Sequence, residues 1–144
     1  HWPGSAASLP PAELLRLAGR YGTALPELLA AAGPLDLEHV ACAPTLWAEL
    51  RWAARAEAVV HLEDLMLRRT RLGLVLPRGG EEHLARVGAI CRAELGWSPA
   101  RWEEEEERYL RLWETCYSLP VSLAGKEWGA GRRDGSGEAL PAAG

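Results

Sequence analysis

Residues 48–74, AELRWAARAEAVVHLEDLMLRRTRLGL, constrain the fold more than any other stretch of the chain. The acids Glu49, Glu57 and Asp64 come first, and Arg68, Arg69, Thr70 and Arg71 follow in one dense cationic turn. Apolar residues fill the gaps. On a helix Asp64 and Arg68 stand at i and i+4 with the acid on the N-terminal side, the more favourable orientation for such a pair. Leu62, Leu65 and Met66 then share a face. A solvated helix would spread its charges, whereas this segment concentrates Arg68, Arg69 and Arg71 at one end.

Punctuation and period predict helices almost throughout. Pro11 suits a first helical position, Leu14, Leu15 and Ala18 form an apolar stripe, and Gly19 or Gly22 supplies the stop. A second helix is expected after Thr23 as N-cap, ending at Gly33 and Pro34. From Thr45 to about Ala56 two patterns compete. Leu46, Leu50 and Ala53 recur at helical spacing, while Leu46, Ala48, Leu50, Trp52 and Ala54 alternate as in a strand. The Ala, Leu, Arg and Glu content favours helix. The helix from His61 should fade before Gly73 and Pro77, with Gly79 and Gly80 in a loop. A further helix is predicted over 81–95, with Leu84, Val87, Ile90, Cys91 and Leu95 inward and Gly96 at its C-cap. Ser98 as N-cap and Pro99 at N1 open the last long helix, along which Trp102, Tyr109, Leu110, Trp113 and Tyr117 recur.

These elements define an all-α, compact, bundle-like domain over residues 10–119. Residues 1–9 read as a linker. Residues 120–144, rich in Gly, Arg, Ser, Ala and Pro, read as a disordered tail. The 144 residues suit one domain, and 48% hydrophobic content argues against wholesale disorder. With 16 basic against 20 acidic residues, the net charge of −4 gives no global pull towards nucleic acid. No apolar run reaches the ~20 residues of a membrane span, and no signal-peptide pattern opens the chain. Cys42, Cys91 and Cys116 form no CxxC and fit a reducing, cytoplasmic setting. Without an initiator Met, the chain reads as a fragment or an excised domain.

The acid–arginine segment also carries a resemblance. Glu49, Ala53 and Glu57 fit E-x-x-x-A-x-x-x-E, and residues 62–72 fit L-E-D-L-x-x-R-R-T-R-L. Upstream stand Arg20, Tyr21 and Gly22 followed by Leu28 and Leu29. Downstream come Glu94, Leu95, Gly96 and Trp97, then Glu105 and Tyr109. Taken together, residues 9–119 resemble the C-terminal helical domain of FAD-dependent, quinone-linked glycerol-3-phosphate dehydrogenase. The resemblance implies a missing flavin domain that oxidises sn-glycerol 3-phosphate to dihydroxyacetone phosphate and passes electrons to a membrane quinone. It further implies a domain that buttresses that half, in cis or as a split partner, with homo-oligomers possible. Glu49, Glu57, Asp64, Arg68, Arg69 and Thr70 match the family signature, and the resemblance gives them a structural or interdomain role. FAD belongs to the full-length enzyme. Residence would be cytoplasmic or peripheral at the inner membrane through the holoenzyme.

No catalytic, cofactor-binding or metal-binding residue is assigned on this chain, which alone is expected to be inactive. Dinucleotide binding needs close glycines between a strand and a helix, and no GxGxxG or P-loop occurs. Arg68, Arg69 and Arg71 have the forks that suit phosphate. They lie near a helix C-terminus, however, where the dipole disfavours anions. Pairing with Glu49, Glu57 and Asp64, together with docking on the flavin domain, is the preferred reading; phosphate contact and anionic lipid stay open. His39 and Cys42 lack a second ligand pair, and Glu81, Glu82 and His83 do not make HExxH. Cys91 reads as a core residue and His61 as lying near a helix cap. The run of glutamates at 103–107 wraps more than one turn and reads as a solvated face near a helix start. The alternatives are a free-standing helical interaction module without catalysis and a DNA-binding module using Arg68 to Arg71. Net charge and the neighbouring Glu63 and Asp64 oppose the latter.

Overall fold

In the computed structural model, residues 9–119 are described. The expectations for the linker's first eight residues and for the 120–144 tail lie outside them. Six α-helices occur among these residues: α1 Pro11–Tyr21, α2 Leu25–Ala31, α3 Trp47–Ala56, α4 Leu72–Val75, α5 Leu84–Leu95 and α6 Pro99–Cys116. A 3₁₀ turn, Gly22–Ala24, joins α1 to α2, and a π-helix, Asp64–Arg69, precedes α4. The only β-type pairing among them is an isolated bridge between His39 and Leu46. The all-α expectation holds.

Helix α3 is central. Trp47, Leu50, Ala53 and Ala54 enter a large core with Leu62, Leu65, Met66, Leu84, Val87, Ile90, Trp102 and Tyr109. Leu46, Ala48 and the half-buried Trp52 enter a smaller core with Leu17, Leu25, Leu28 and Leu29 of α1 and α2. A helix buried on two sides lacks the single apolar stripe of a surface helix. This accounts for the strand-like alternation read over 46–54.

Several boundaries follow local chemistry. Pro11 opens α1 at its first position, and α5 ends at Gly96 in the left-handed region with φ 67°. At α6, Ser98 Oγ accepts from Arg101 N at 3.1 Å, and Pro99 follows it, as read from sequence. Helices α5 and α6 approach closely at Gly88, where an added Cβ would lie 2.6 Å from Trp102. Thr23 departs from expectation: it lies inside the 3₁₀ turn, and Ala24 precedes α2 without a side-chain cap. The 81–95 helix starts only at Leu84, because Arg78, Gly79 and Gly80 all take positive φ and bend the chain beforehand. Two side chains of α6 fasten this region: Tyr109 Oη donates to Gly79 O in the bend at 2.6 Å, and Trp113 Nε1 to Gly73 O in α4 at 2.7 Å. Tyr117 belongs to neither core and is exposed.

Candidate functional site

The signature residues divide between a buried ion node and an exposed arginine turn. Glu49 lies in the first turn of α3, and its side chain is 0% exposed. Burying a carboxylate is costly unless it is paired and hydrogen-bonded. Both oxygens of Glu49 are engaged by Arg16, Nη1 to Oε1 at 3.1 Å and Nη2 to Oε2 at 2.5 Å. Tyr21 Oη donates to Oε1 at 3.1 Å, and Arg20 Nη1 stands 3.4 Å from the same atom. Finally, Leu46 N donates to Oε2 at 2.8 Å, so the acid also caps the start of its own helix. Against Glu49, the guanidinium of Arg16 is held above its usual pKa range, and burial followed by the same acid pushes the Tyr21 phenol up.

This geometry corrects one sequence reading. Glu49 pairs with Arg16 and Arg20 on α1, not with the arginines of the 68–71 turn. Glu57 sits just past the end of α3, half-buried, and no ion pair reaches it among the described residues. Arg68 does meet Asp64 as the i,i+4 spacing predicts, with Glu63 at 3.5 Å. Asp64 also accepts from His61 N at 2.9 Å and Val60 N at 3.2 Å, closing the turn before the π-helix. Burial would raise its pKa, but the two amides and Arg68 outweigh that and hold it below the ordinary range.

The predicted α-helix from His61 is instead a π-helix from Asp64 onward. Thr70 N donates to Leu65 O at 3.0 Å, five residues back, and Thr70 Oγ1 reaches the same oxygen at 2.7 Å. The wider turn keeps Leu65, Met66, Thr70 and Leu72 buried while Arg68, Arg69 and Arg71 stay exposed. Single π-turns of this kind are rare and concentrate at functional sites. Arg71 then takes φ 58° and ψ 15°, a left-handed conformation uncommon outside glycine.

Arg20 connects the two regions. Besides Glu49, it donates through Nη2 to Arg69 O at 2.9 Å. Between Arg20 and the turn lies an open cleft of 330 Å³ lined by Arg20, Arg68, Arg69, Thr70 and Arg71. Among the described residues neither Arg69 nor Arg71 has an ion pair. Sequence reasoning missed Arg16 and Arg20 as partners of Glu49, since these contacts are distant in sequence, 33 residues for Arg16, and leave no periodic signal.

A second buried acid also escaped the reading. Glu105, inside the run read as a solvated face, is 4% exposed. It accepts from Leu62 N at 3.0 Å and lies 2.9 Å from His61 Nδ1 and 2.7 Å from Arg101 Nη2. The run does wrap the helix, which is why one member must face inward, and that member meets the amide of an incoming segment. His61 Nδ1 also lies 2.9 Å from Arg108 Nη1, so this nitrogen donates to Glu105 or accepts from Arg108, not both. Cys91 is a core thiol as expected, its pKa pushed up to about 12 by burial and then by Glu105.

At Gly79 and Gly80, Trp113 stands 2.8 Å and Leu76 and Met66 stand 3.2 Å from where a Cβ would lie. Those glycines make room for core side chains, not for a pyrophosphate.

Residues 4–102 match the model of the C-terminal domain of alpha-glycerophosphate oxidase, and the chain belongs to that domain family. Its relatives include glycerol-3-phosphate dehydrogenase 2 of Mycobacterium tuberculosis, 33% identical over 110 residues, which are 74% of this chain and 19% of the relative. Glycerol-3-phosphate dehydrogenase of Mycobacterium leprae is 33% identical over 104 residues, 70% of this chain and 18% of the relative. The chain thus spans about a fifth of the length of these curated relatives. No solved structure matches it significantly.

Proposed function

We propose that this domain packs against a flavin-binding half and supports its oxidation of sn-glycerol 3-phosphate to dihydroxyacetone phosphate. FAD is carried by that half, and the assembled enzyme associates peripherally with the inner membrane, where a quinone takes the electrons. The observation that carries this reading lies in the signature segment. Arg69 and Arg71 lack an ion pair among the described residues, and beside them Leu74 and Val75 are 52% and 55% exposed. A face with surplus cations and uncovered apolar side chains suits an interdomain contact, which is more polar than an obligate core. Elsewhere the acids are taken up internally, as Glu49, Asp36, Glu94 and Glu105 all have arginine partners.

The role is positional. The domain supplies no proton donor or hydride acceptor; it holds the other half in its working geometry, and a misplacement of ~1 Å can cost ~100-fold in rate. The test is co-expression of this chain with a flavin-binding half from a relative, followed by co-purification and quinone-analogue reduction with glycerol 3-phosphate. The halves should elute together, and activity should fall when the chain is omitted. A flavin half that elutes alone and is equally active without the chain would overturn the reading.

A further inference from the structure

The cleft beside Arg20 holds more positive charge than packing requires. Four guanidinium groups and Thr70 line its 330 Å³. Arg20 is engaged by Glu49, and Arg68 by Asp64 and Glu63. Arg69 and Arg71 remain, two charges without an ion pair among the described residues, on either side of Thr70. We propose that this cleft binds the phosphate dianion of a phosphomonoester.

Charge selects the class. A dianion neutralises both free guanidinium groups, whereas a single carboxylate leaves one uncompensated. Shape agrees, because guanidinium forks donate in parallel pairs to phosphate oxygens. The helix-end objection raised by the sequence is weakened by the local bonding. Leu65 O accepts from Thr70 N and Thr70 Oγ1, and Arg69 O accepts from Arg20 Nη2, so donors already cover these carbonyls. Arg71 also holds its left-handed conformation at a position where glycine would relieve the backbone but abolish the charge. Such outliers gather at ligand clamps. Arg92, on α5, offers a contrast: it too lacks an ion pair among the described residues, but it lines no part of this cleft.

The phosphate can come from a soluble ester or from a lipid headgroup. Because the turn also serves the packing proposed above, the site is tested on the chain alone, without a flavin half. Inorganic phosphate is titrated at constant ionic strength against chloride and acetate, following arginine Nε–H and backbone amide shifts by NMR. Saturable shifts at Arg20 and residues 68–71 are expected. Arg69→Ala and Arg71→Ala should each weaken binding about tenfold, Arg92→Ala should leave it unchanged, and circular dichroism should be the same for all. Vesicles of phosphatidylcholine with and without phosphatidic acid separate the sources. Arginine-dependent pelleting with phosphatidic acid assigns the phosphate to a lipid, and saturable phosphate binding without pelleting assigns it to a soluble ester. Non-saturable shifts, equal binding of acetate, or equal sensitivity to Arg92→Ala would overturn the site. A failed titration leaves the packing reading standing if the halves still co-purify, and the reverse holds too.

Discussion

The Glu49 node and the 68–71 turn use the same two chemistries, carboxylate and guanidinium, to opposite ends. Glu49 is wholly buried and takes donors from Arg16, Arg20, Tyr21 and the Leu46 amide. The arginines of the turn are exposed, and among the described residues only Arg68 of the three has an acid. A buried acid cannot be left partly satisfied, so every neighbour is committed to the fold. An exposed cation is under no such demand, because water serves it. Family-signature residues therefore have two physical meanings: Glu49 serves the domain itself, whereas Arg69 and Arg71, without an acid among the described residues, are left for the contacts proposed above.

The largest expected contrast comes from acidification. Burial would raise the pKa of Asp36, but Arg51, the Gly33 amide and Arg86 outweigh it and hold the group low. Burial is likewise outweighed at Glu94 by Arg55 and Arg51, and at Glu105 by His61, the Leu62 amide and Arg101. Acids depressed in the folded state stabilise it fully above their unfolded pKa near ~4 and lose that contribution as pH falls through the lower folded values. Denaturant midpoints should therefore be flat from neutrality to about pH 5 and drop steeply below about pH 4. A midpoint that rises on acidification would mean that these acids are strained, not satisfied.

Next in size is Glu49→Ala. It strands a buried Leu46 amide and removes the anion that faces Arg16 and Arg20. The arginines are 30% and 40% exposed and can turn to water, which places the loss near the lower end of the buried-pair range, about 3 kcal/mol. Glu49→Gln keeps an acceptor for the amide and should cost less, about 1–2 kcal/mol. Urea melts of both variants measure this, and equal losses would mean that the charge contributes nothing.

Helices, caps and one ion pair were legible because they are local. Ser98 and Pro99, Gly96, and the Asp64–Arg68 spacing each act within a turn, and each stands where the residues put it. Local pattern could not distinguish a helix buried on two sides from a strand at 46–54, nor foresee that one extra residue would widen the turn at 64–69. The partners of Glu49 were illegible for another reason. Arg16 follows Glu13 on a helix where an internal i,i+3 pair explains it equally well, and Arg16 does bind Glu13 as well as Glu49. Glu105 was hidden by its own neighbours, since nothing in a run of five identical residues says which one faces inward.

Asp64 falls between the two regions and should show an intermediate effect. Its carboxylate closes the turn at Val60 and His61, which is a capping role, and it also holds Arg68. Asp64→Ala should cost about 1 kcal/mol by loss of the cap. Asp64→Asn, which can still accept from both amides, should recover most of that in the same melts. Failure to recover would shift the weight from the cap to the ion pair.

Arg69→Ala should have the smallest effect on the fold. The side chain is exposed and has no ion pair among the described residues, and the bond from Arg20 goes to the Arg69 carbonyl, which alanine keeps. The change in stability should stay within about 0.5 kcal/mol. That near-zero value is informative only beside a second measurement, co-purification with a flavin-binding half. A variant as stable as the parent that no longer associates would separate the two regions cleanly, one serving the domain and the other its partner. A loss comparable with that of Glu49→Ala would erase the distinction, since Arg69 would then serve the domain itself.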